Sequence, residues 1–249
     1  MTPDAPARST LFISDLHLSP ERPDALSRFT SFLRETAIHA EALYILGDFF
    51  ELWVGDDDLH QPLHQHAIAE LRRLTEAGVG VRFLPGNRDF LIGPAFAAAA
   101  GLQLLPDPSV IRLYGVPTLI THGDQMCTDD AAYQTYRTQV HDPDWQREFL
   151  AQPLIERIAF ALHVRDQSEQ AKAGKRPEIM DVNPAAVAQW LARYGVARII
   201  HGHTHRPARH VHPAGERECE RWVLPDWYEG GGHLCCDQTG CRLRLSADA

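Results

Sequence analysis

The stretch ALYILGDFFE, residues 42–51, decides the fold because it joins a short apolar run to a polar end that contains glycine. The run is rich in branched and aromatic side chains, which is typical of a β-strand buried on both faces. Four further segments repeat the pattern: TLFISDLH (10–17), VRFLPGNRD (81–89), PTLITHGD (117–124) and ARIIHGHTH (197–205). We therefore predict five buried strands, each followed directly by polar residues.

Helical patterns alternate with these strands. One begins at Asp24, and another has Pro62 at its start and Gly78 at its end, as helices often do. The alternation predicts an α/β fold built from βαβ units. At about 128–182 the pattern is helical without strands, which we interpret as a cap inserted into a single domain that spans residues 1–249. A helix at 183–195 and three short strand-like runs near the end of the chain complete the pattern.

Composition excludes several classes of protein. The chain has 249 residues and a formal net charge of -9, whereas a protein that binds nucleic acid normally presents a basic face. No signal-peptide pattern opens the chain, and no apolar stretch approaches the eighteen residues that a membrane span needs. The five cysteines contain no C-x-x-C pair, so we expect neither a disulfide framework nor a zinc ribbon, and the reducing cytosol is the simpler compartment. No obligate protein partner is evident.

Metal-type side chains follow all five predicted strands. In chain order the candidates are Asp15, His17, Asp48, Asn87, His122, His203 and His205. Any one alone is more simply a polar residue that satisfies nearby backbone. Because the ligand crevice of an open α/β sheet lies beyond the carboxyl ends of its strands, we expect the set to meet at one rim. Carboxylate, imidazole and amide groups suit divalent transition metals, and a pair of metals can clamp the attacking and leaving oxygens of a phosphoryl displacement.

In this order the motifs D-x-H, G-D, G-N-R-D, H-G and G-H-x-H resemble those of the calcineurin-like metallophosphoesterase superfamily, over residues 15–205. The resemblance implies a four-layer αββα metallophosphoesterase sandwich, with the helical insertion as its cap and two metal ions at the rim. It implies that Asp15, His17, Asp48 and His205 hold one metal. The implied ligands of the other metal are Asp48, Asn87, His122 and His203.

The third motif departs from the superfamily pattern. Most members have a histidine after the Asn, where it can protonate an alkoxide leaving group, but this chain has Arg88. Arginine stays protonated and suits bidentate contact with a phosphate. We therefore expect a leaving group that needs no proton, such as the phosphate released from a pyrophosphate, whose second pKa is about 6 by analogy with phosphate esters. An alternative is that Arg88 is a structural partner of Asp89 or Asp124.

Longer stretches resemble the UDP-2,3-diacylglucosamine hydrolase family of lipid A biosynthesis: LYILGDFFELWVGDDD (43–58), GNRDFLIG (86–93), HGDQMCTDDAAYQTYR (122–137), IMDVN (179–183) and IHGHTHRP (200–207). The resemblance implies that two Mn²⁺ ions and water act on the α-phosphate and release UMP and lipid X, with Asn87 and Arg88 as the catalytic residues. Implied substrate contacts are Asn87, Arg88, Asp130, Ser168, Lys175 and His203. Lys172 stands where the family pattern has Asn, and its amine could reach a phosphate or a sugar hydroxyl. The implied location is the cytoplasmic face of a Gram-negative inner membrane.

The cap region carries more apolar side chains than a solvent-facing helix needs. They are Trp145, Phe149, Leu150, Leu154, Ile155, Ile158, Phe160 and Leu162, with Arg147, Arg157 and Arg165 among them. We expect this surface to hold acyl chains and, with its basic edge, to touch a membrane surface. Ordinary core is the alternative for these apolar side chains.

For the function of the whole chain, the alternatives are a soluble nucleotide pyrophosphatase or phosphodiesterase and a non-catalytic scaffold. The acidic run Asp56–Asp58 is interpreted as a solvated turn.

Overall fold

The computed structural model describes residues 9–172, 177–214, 217–228 and 230–246. The described strands are β1 (Thr10–Ile13), β2 (Ala42–Ile45), β3 (Gly80–Phe83), β4 (Gln103–Leu104), β5 (Ser109–Leu113), β6 (Val116–Ile120), β7 (Arg198–His201), β8 (Ala208–Ala214), β9 (Arg217–Val223), β10 (Gly232–Asp237) and β11 (Gly240–Leu245). The described α-helices are α1 (Pro23–Glu35), α2 (Pro62–Glu76), α3 (Pro94–Ala100), α4 (Ala131–Val140), α5 (Pro143–Leu150), α6 (Leu154–Lys172) and α7 (Pro184–Tyr194).

The strands form two sheets. The first has the order β11-β10-β1-β2-β3-β4 and the second the order β5-β6-β7-β9-β8. In the first sheet β1, β2 and β3 are parallel neighbours, and in the second β6 is parallel to β7. These are the five strands that the apolar runs predict, so that prediction is confirmed.

Side chains of each central strand alternate between two cores, as a period of two requires. In β1, Leu11 and Ile13 pack toward α1 and α2, while Phe12 packs between the sheets. In β7, Ile199 packs toward α7 and Ile200 packs between the sheets. Helices therefore cover the outer face of each sheet, and the predicted αββα sandwich of four layers is confirmed.

The helices begin and end where local chemistry favours it. Proline occupies the first turn of α1 and α2, at Pro23 and Pro62, where its missing N–H has no intrahelical partner to lose. The side chain of Asn183 accepts hydrogen bonds from the amides of Ala185 and Ala186 and caps the start of α7. Gly195 ends the same helix with a φ of 60°.

Three strands and one helix lie outside the sequence prediction. β4 is only two residues long, and β5 and β8 are partly exposed strands at the edges of the second sheet, where apolar patterning is weak. β8 contains His210 and His212, in a segment for which the sequence pattern predicts neither a strand nor a helix. The alanine-rich stretch forms α3, because Phe96, Ala97 and Ala100 are buried against the first sheet.

Two interpretations of the sequence need correction. Cys236 and Cys241 form a disulfide that links the adjacent strands β10 and β11, although we expect no disulfide framework. The spacing of the cysteines alone does not reveal this pair, because it depends on the register of the hairpin, in which Cys236 lies opposite Cys241. The acidic run is not merely solvated. Asp56 accepts hydrogen bonds from the amides that begin α3, and Asp57 pairs with Arg157 of α6.

The predicted cap region is helical. The described residues of 128–182 form α4, α5, α6 and a short 3-10 helix at Pro177–Met180, and none of them belongs to a strand. Within the described part of the chain, no helix is both long enough and apolar enough to cross a membrane.

Candidate functional site

The candidate metal ligands lie in five loops, each of which follows the carboxyl end of a strand. The loops after β1, β2 and β3 stand side by side because these strands are parallel neighbours. Hydrogen bonds join them to the second sheet: the amide of His203 donates to Asp15 Oδ2 at 2.9 Å, and His122 Nδ1 lies 2.9 Å from the carbonyl oxygen of Leu46. The structure therefore brings the candidates from both sheets to a single rim.

The backbone of this rim is conformationally strained. Six non-glycine residues of the described chain have a positive φ, and five of them are candidate ligands: Asp15 (55°), His17 (49°), Asp48 (50°), His203 (68°) and His205 (53°). Asp and His tolerate the left-handed region better than most residues, but each such residue still costs about 1 kcal/mol or more. Strain gathered at one rim indicates a functional site that the rest of the fold holds in place.

Asp15, His17 and His205 form the first group of potential ligands, and their ligand atoms lie within 4.8 Å of one another. Asp15 Oδ1 is 3.3 Å from His205 Nε2 and 4.0 Å from His17 Nε2. His17 Nε2 is also 3.7 Å from Asp48 Oδ2. Both ring nitrogens of His17 are buried without a hydrogen-bond partner among the described residues, and Nε2 is the one that faces the carboxylates of Asp15 and Asp48.

Asp15, Asp48 and His122 form the second group, again within 4.8 Å. His122 Nε2 lies 3.5 Å from Asp48 Oδ1, 2.9 Å from Asn87 Oδ1 and 3.2 Å from His203 Nδ1. Asp48 therefore stands between the two groups, where one carboxylate can serve two cations. Asp15 reaches both groups as well, although the sequence analysis assigns it to one.

Electrostatics at the rim favour bound cations. Burial alone would lower the pKa of His122, but the carboxylates of Asp48 and Asp15 outweigh burial and raise that pKa to about 9. A proton on His122 and a metal ion would neutralise the same carboxylates, so the two compete for the site. Burial and the neighbouring His122 lower the pKa of His203 to about 4. His203 is therefore neutral near pH 7, as an imidazole ligand must be.

Two glycines are required because the backbone approaches the ligands closely. A β-carbon at Gly202 would collide with the side chains of Asp15 and Ser14, and one at Gly86 would collide with Asp48. These two positions need a residue with no side chain.

Asp89 holds the loops of the rim together. Its fully buried carboxylate accepts hydrogen bonds from the amides of Gly86 and Phe49, both at 2.7 Å, and from the amide of Asp48 at 3.3 Å. Burial, together with the charge of Asp48, raises the pKa of Asp89 to about 6. Asp89 is therefore a structural element of the third motif, and it fixes the loop that presents Asp48.

The guanidinium of Arg88 approaches Glu51, and the carboxylates named in the structural alternative, Asp89 and Asp124, accept hydrogen bonds from other groups. Arg88 Nη1 lies 4.0 Å from Glu51 Oε1, and the amide of Arg88 donates to Asp48 Oδ1 at 2.8 Å. Asp124 instead accepts hydrogen bonds from Arg137 Nε at 2.7 Å and from the hydroxyl of Tyr133 at 2.6 Å. The guanidinium of Arg88 therefore faces the cavity beside the rim.

A cavity of about 570 Å³ extends from the rim to the cap. At the polar end its walls include His17, Asp48, Asn87, Arg88, His203 and His205. At the other end they are apolar, with Leu52, Trp53, Val54, Phe90, Leu91, Trp145, Phe149, Phe160, Ala161, Val164 and Met180. The cavity therefore suits a ligand that is charged at one end and apolar at the other.

The remaining predicted substrate contacts have different positions. Asp130 and Ser168 both line the cavity, and Asp130 also caps α4 by accepting a hydrogen bond from the amide of Tyr133 at 3.2 Å. Lys172 is described only as the last residue of α6, and Lys175 lies outside the described residues.

One face of α6 lines the cavity. Arg157, Ala161, Val164 and Ser168 are spaced by four, three and four residues, which places them in one stripe of a helix. This spacing was available in the sequence as a signal for Ser168. Ala161, Val164 and Ser168 line the cavity. Arg157, at the beginning of the stripe, instead donates to the carbonyl oxygen of Val54 in the loop that follows β2.

The apolar side chains of the cap have three kinds of surroundings, which overlap. Trp145, Phe149 and Phe160 line the cavity, while Trp145 and Phe149 also pack in the core and Phe160 is 40% exposed. Leu154 and Ile158 pack against the core, as the alternative of ordinary core predicts. Leu150, Ile155 and Leu162 are exposed, with Ile155 exposing 72% of its surface.

The predicted basic edge needs correction at Arg157. This side chain is only 1% exposed, and it donates to Val54, Gln152 and Asp57. Arginine can lie here because carbonyl and carboxylate oxygens satisfy its donors. Arg157 therefore attaches α6 to the loop after β2 and does not reach the solvent edge.

Three residues of the site lie outside the motifs. Glu51 and Tyr228 line the cavity beside His17, and the ring of Tyr228 lies 4.9 Å from that of His17. Arg137 pairs with Asp124 beneath the rim. Nothing in the local sequence distinguishes these residues, because only the packing of separate segments brings them to the site.

Comparisons with known proteins agree with this geometry. The sequence pattern of the family described as calcineurin-like phosphoesterase matches residues 9–207. A protein of Xanthomonas campestris pv. campestris (strain B100) called UDP-2,3-diacylglucosamine hydrolase is 51% identical over 247 residues, which cover 96% of this chain and 99% of that protein. One of the same name from Stenotrophomonas maltophilia (strain R551-3) is 51% identical over 94% of this chain and 97% of its own length.

Structural comparison bears on the fold alone. A solved structure described as a novel archaeal phosphodiesterase matches with a TM-score of 0.50 at 11% identity, and the match covers 95% of this chain and 99% of that one. It supports the two-sheet architecture and carries no information about substrate.

Proposed function

Because this chain belongs to the calcineurin-like phosphoesterase family, we propose that it is the hydrolase that cleaves the pyrophosphate bond of UDP-2,3-diacylglucosamine in lipid A biosynthesis. The products would be UMP and 2,3-diacylglucosamine 1-phosphate, which is lipid X. One observation carries the proposal: a single cavity joins the rim of metal ligands to an apolar wall. The names of relatives about half identical over nearly the whole chain support the same substrate.

The rim residues fit a pair of divalent cations. Asp15, His17, Asp48 and His205 would hold one ion, and Asp48, Asn87, His122 and His203 the other. Their carboxylate, imidazole and amide donors suit Mn²⁺. When bound, the ions activate water and neutralise charge on the phosphoryl group.

Arg88 and Asn87 would act on the phosphates. The guanidinium of Arg88 remains protonated and can donate two parallel hydrogen bonds to one phosphate group. Donors fixed in place before the reaction stabilise charge as it develops, because no reorganisation is needed at that moment. When water attacks the α-phosphate, the new bond forms on UMP and the sugar phosphate departs. That phosphate needs no proton near pH 7, whereas an alcohol leaving group would need an acid, so an arginine is sufficient here.

The apolar end of the cavity would hold the acyl chains. Trp145 and Phe149 stack with ring centroids 4.8 Å apart, and the ring of Phe160 lies 5.4 Å from that of Phe149. A soluble nucleotide substrate has no use for such a wall. Asp130 and Ser168 line the same cavity and would contact the sugar. Lys172 and Lys175 complete the proposed contacts on the basis of family resemblance.

A substrate series tests the proposal. Purified protein with Mn²⁺ is assayed on UDP-2,3-diacylglucosamine, on the same UDP-sugar without acyl chains and on a dinucleoside polyphosphate. We expect efficient release of UMP only from the diacylated substrate. Equal rates on the acyl-free compound would favour the soluble pyrophosphatase alternative, and no hydrolysis of any substrate would favour the scaffold.

The exposed face of the cap would contact the cytoplasmic surface of the inner membrane, where the substrate resides. Ile155 and Leu162 lie on the face of α6 opposite the cavity. An apolar face of this kind binds the interface between headgroups and acyl chains.

We expect serine at both Ile155 and Leu162 to reduce cosedimentation of the protein with phospholipid vesicles that carry the substrate. Serine at Val110 and Val211, which are exposed on the second sheet, is the matched control, and equal losses in both variants would refute the contact.

A further inference from the structure

Glu51 is a buried carboxylate at the boundary between the rim and the cavity. It follows Asp48 by three residues, lies outside the motif ligands, and exposes only 8% of its side chain. We propose that Glu51 is a positioning residue, which orients His17 with one oxygen and holds Arg88 and Arg165 with the other. It would touch neither a metal ion nor the reacting atoms.

The first oxygen of Glu51 faces His17. Glu51 Oε2 lies 2.9 Å from His17 Nδ1, and the hydroxyl of Tyr228 donates to the same oxygen at 3.3 Å. A carboxylate beside Nδ1 favours the tautomer with its proton on Nδ1, so that Nε2 keeps its lone pair. Nε2 is the nitrogen that faces Asp15 and Asp48. Glu51 therefore prepares His17 as a metal ligand.

The second oxygen of Glu51 faces two arginines. Glu51 Oε1 lies 4.0 Å from Arg88 Nη1 in the rim loop and 3.4 Å from Arg165 Nε in α6. Without an anion between them the two guanidinium groups would repel each other. With Glu51 in place they can remain beside the rim before a phosphate arrives, which reduces the entropy lost on binding. Glu51 also joins the cap helix α6 to the loop after β2.

This second role rests on the proposed function, because paired arginines are useful here only if the substrate carries phosphate. The role toward His17 does not, since it concerns the metal site alone. A measurement of metal affinity therefore separates failure of this inference from failure of the proposed substrate.

The experiment compares Glu51→Ala with Glu51→Gln. Alanine removes both contacts, whereas the amide oxygen of glutamine keeps a hydrogen-bond acceptor beside His17 Nδ1 but carries no charge for the arginines. Glu70→Ala is the matched control, because Glu70 is also buried and pairs with Arg34, on the outer side of the first sheet. Mn²⁺ affinity is measured by titration with electron paramagnetic resonance, and thermal unfolding is recorded for every variant.

We expect Glu51→Ala to weaken Mn²⁺ binding by about 10- to 100-fold, the range typical for loss of a carboxylate that orients a histidine ligand. Glu51→Gln should keep most of the affinity, and Glu70→Ala should keep it fully while losing thermal stability. Wild-type affinity in Glu51→Ala would overturn the inference. So would an equal loss in Glu70→Ala, which would indicate a general effect on the fold.

Kinetics on UDP-2,3-diacylglucosamine at saturating Mn²⁺ test the role toward the arginines. Glu51→Gln should raise KM more than it lowers kcat, because Arg88 and Arg165 lose the negative charge of Glu51 that positions them before substrate binds. An unchanged KM would overturn this second role. If the wild-type protein does not hydrolyse this substrate, the metal titration still decides the role toward His17.

Discussion

The rim and the cap meet in one cavity but are built in opposite ways. The rim consists of buried polar side chains on strained loops, and its members are separated by up to 190 positions, from Asp15 to His205. The cap consists of local helices whose apolar side chains are partly exposed, and polar contacts attach it to the sandwich. The difference teaches that the proposed chemistry depends on long-range geometry, whereas the proposed selection of substrate depends on helices that form locally.

Two attachments of the cap pair an arginine of a cap helix with a carboxylate beneath it. Arg137 of α4 pairs with Asp124, and Arg157 of α6 donates to Asp57. Breaking the rim and loosening the cap should therefore have separable effects.

The largest effect is expected from Asp48→Ala. Asp48 stands between the two groups of ligands, so its removal should weaken both metal sites. We expect kcat/KM to fall by at least about 10³-fold, the scale seen when a preorganised charge-stabilising group is lost. Rates on the diacylated substrate across a Mn²⁺ series measure this. Substantial activity that still depends on Mn²⁺ would contradict the assignment of two metals.

A smaller loss is expected from Arg88→Lys, which keeps the charge but removes the planar donor pair. We expect kcat/KM to fall by about 10²-fold, because lysine cannot reproduce bidentate contact with phosphate. The Mn²⁺ affinity should stay unchanged, since the side chain is not among the proposed ligands. A variant as active as the wild type would show that charge alone suffices at this position.

Weakening the attachment of the cap should leave the arrangement of the rim ligands unchanged. Arg157→Met leaves the carbonyl oxygen of Val54 without the donor of a buried hydrogen bond, which should lower the free energy of unfolding by about 1–3 kcal/mol. Arg147→Met is the control, because Arg147 is exposed and its loss should change the free energy by less than about 0.5 kcal/mol. Denaturant unfolding gives both values, and Mn²⁺ affinity should not change. A matching loss of metal affinity would show that rim and cap are one cooperative unit.

The smallest effect is a dependence of cap attachment on pH. The hydrogen bond from Arg157 holds the pKa of Asp57 below its ordinary value of 3.8. Because the folded-state pKa is the lower one, the stabilising contribution is complete above pH 3.8 and is lost as the pH falls through the folded value. Hydrogen exchange of α6, corrected for intrinsic rates, should therefore rise as the pH falls below 3.8. Asp57→Asn should remove this increase, and an increase that persists in that variant would place its origin elsewhere.

Prediction from sequence succeeds where a short local pattern of residues is enough to identify a structure. Buried strands such as β2 are apolar on both faces, so Ala42–Ile45 is recognisable as a strand on its own. It fails for edge strands such as β8, because their side chains alternate too weakly to be distinguished from a loop. It fails also at Arg157, where an arginine that local sequence places on the surface is buried by loops distant in the chain.

The sequence by itself determined the five central strands, the helices that alternate with the first of them, and the gathering of the candidate ligands at one rim, because a parallel sheet places all its carboxyl strand ends at one edge. Only the tertiary structure decided that Glu51, Arg165 and Tyr228 meet beside His17, and that one cavity continues from the rim to the aromatic wall of the cap. The physical reason is that backbone periodicity is a local property of the chain. Contact between side chains more than a hundred residues apart depends instead on how whole layers pack.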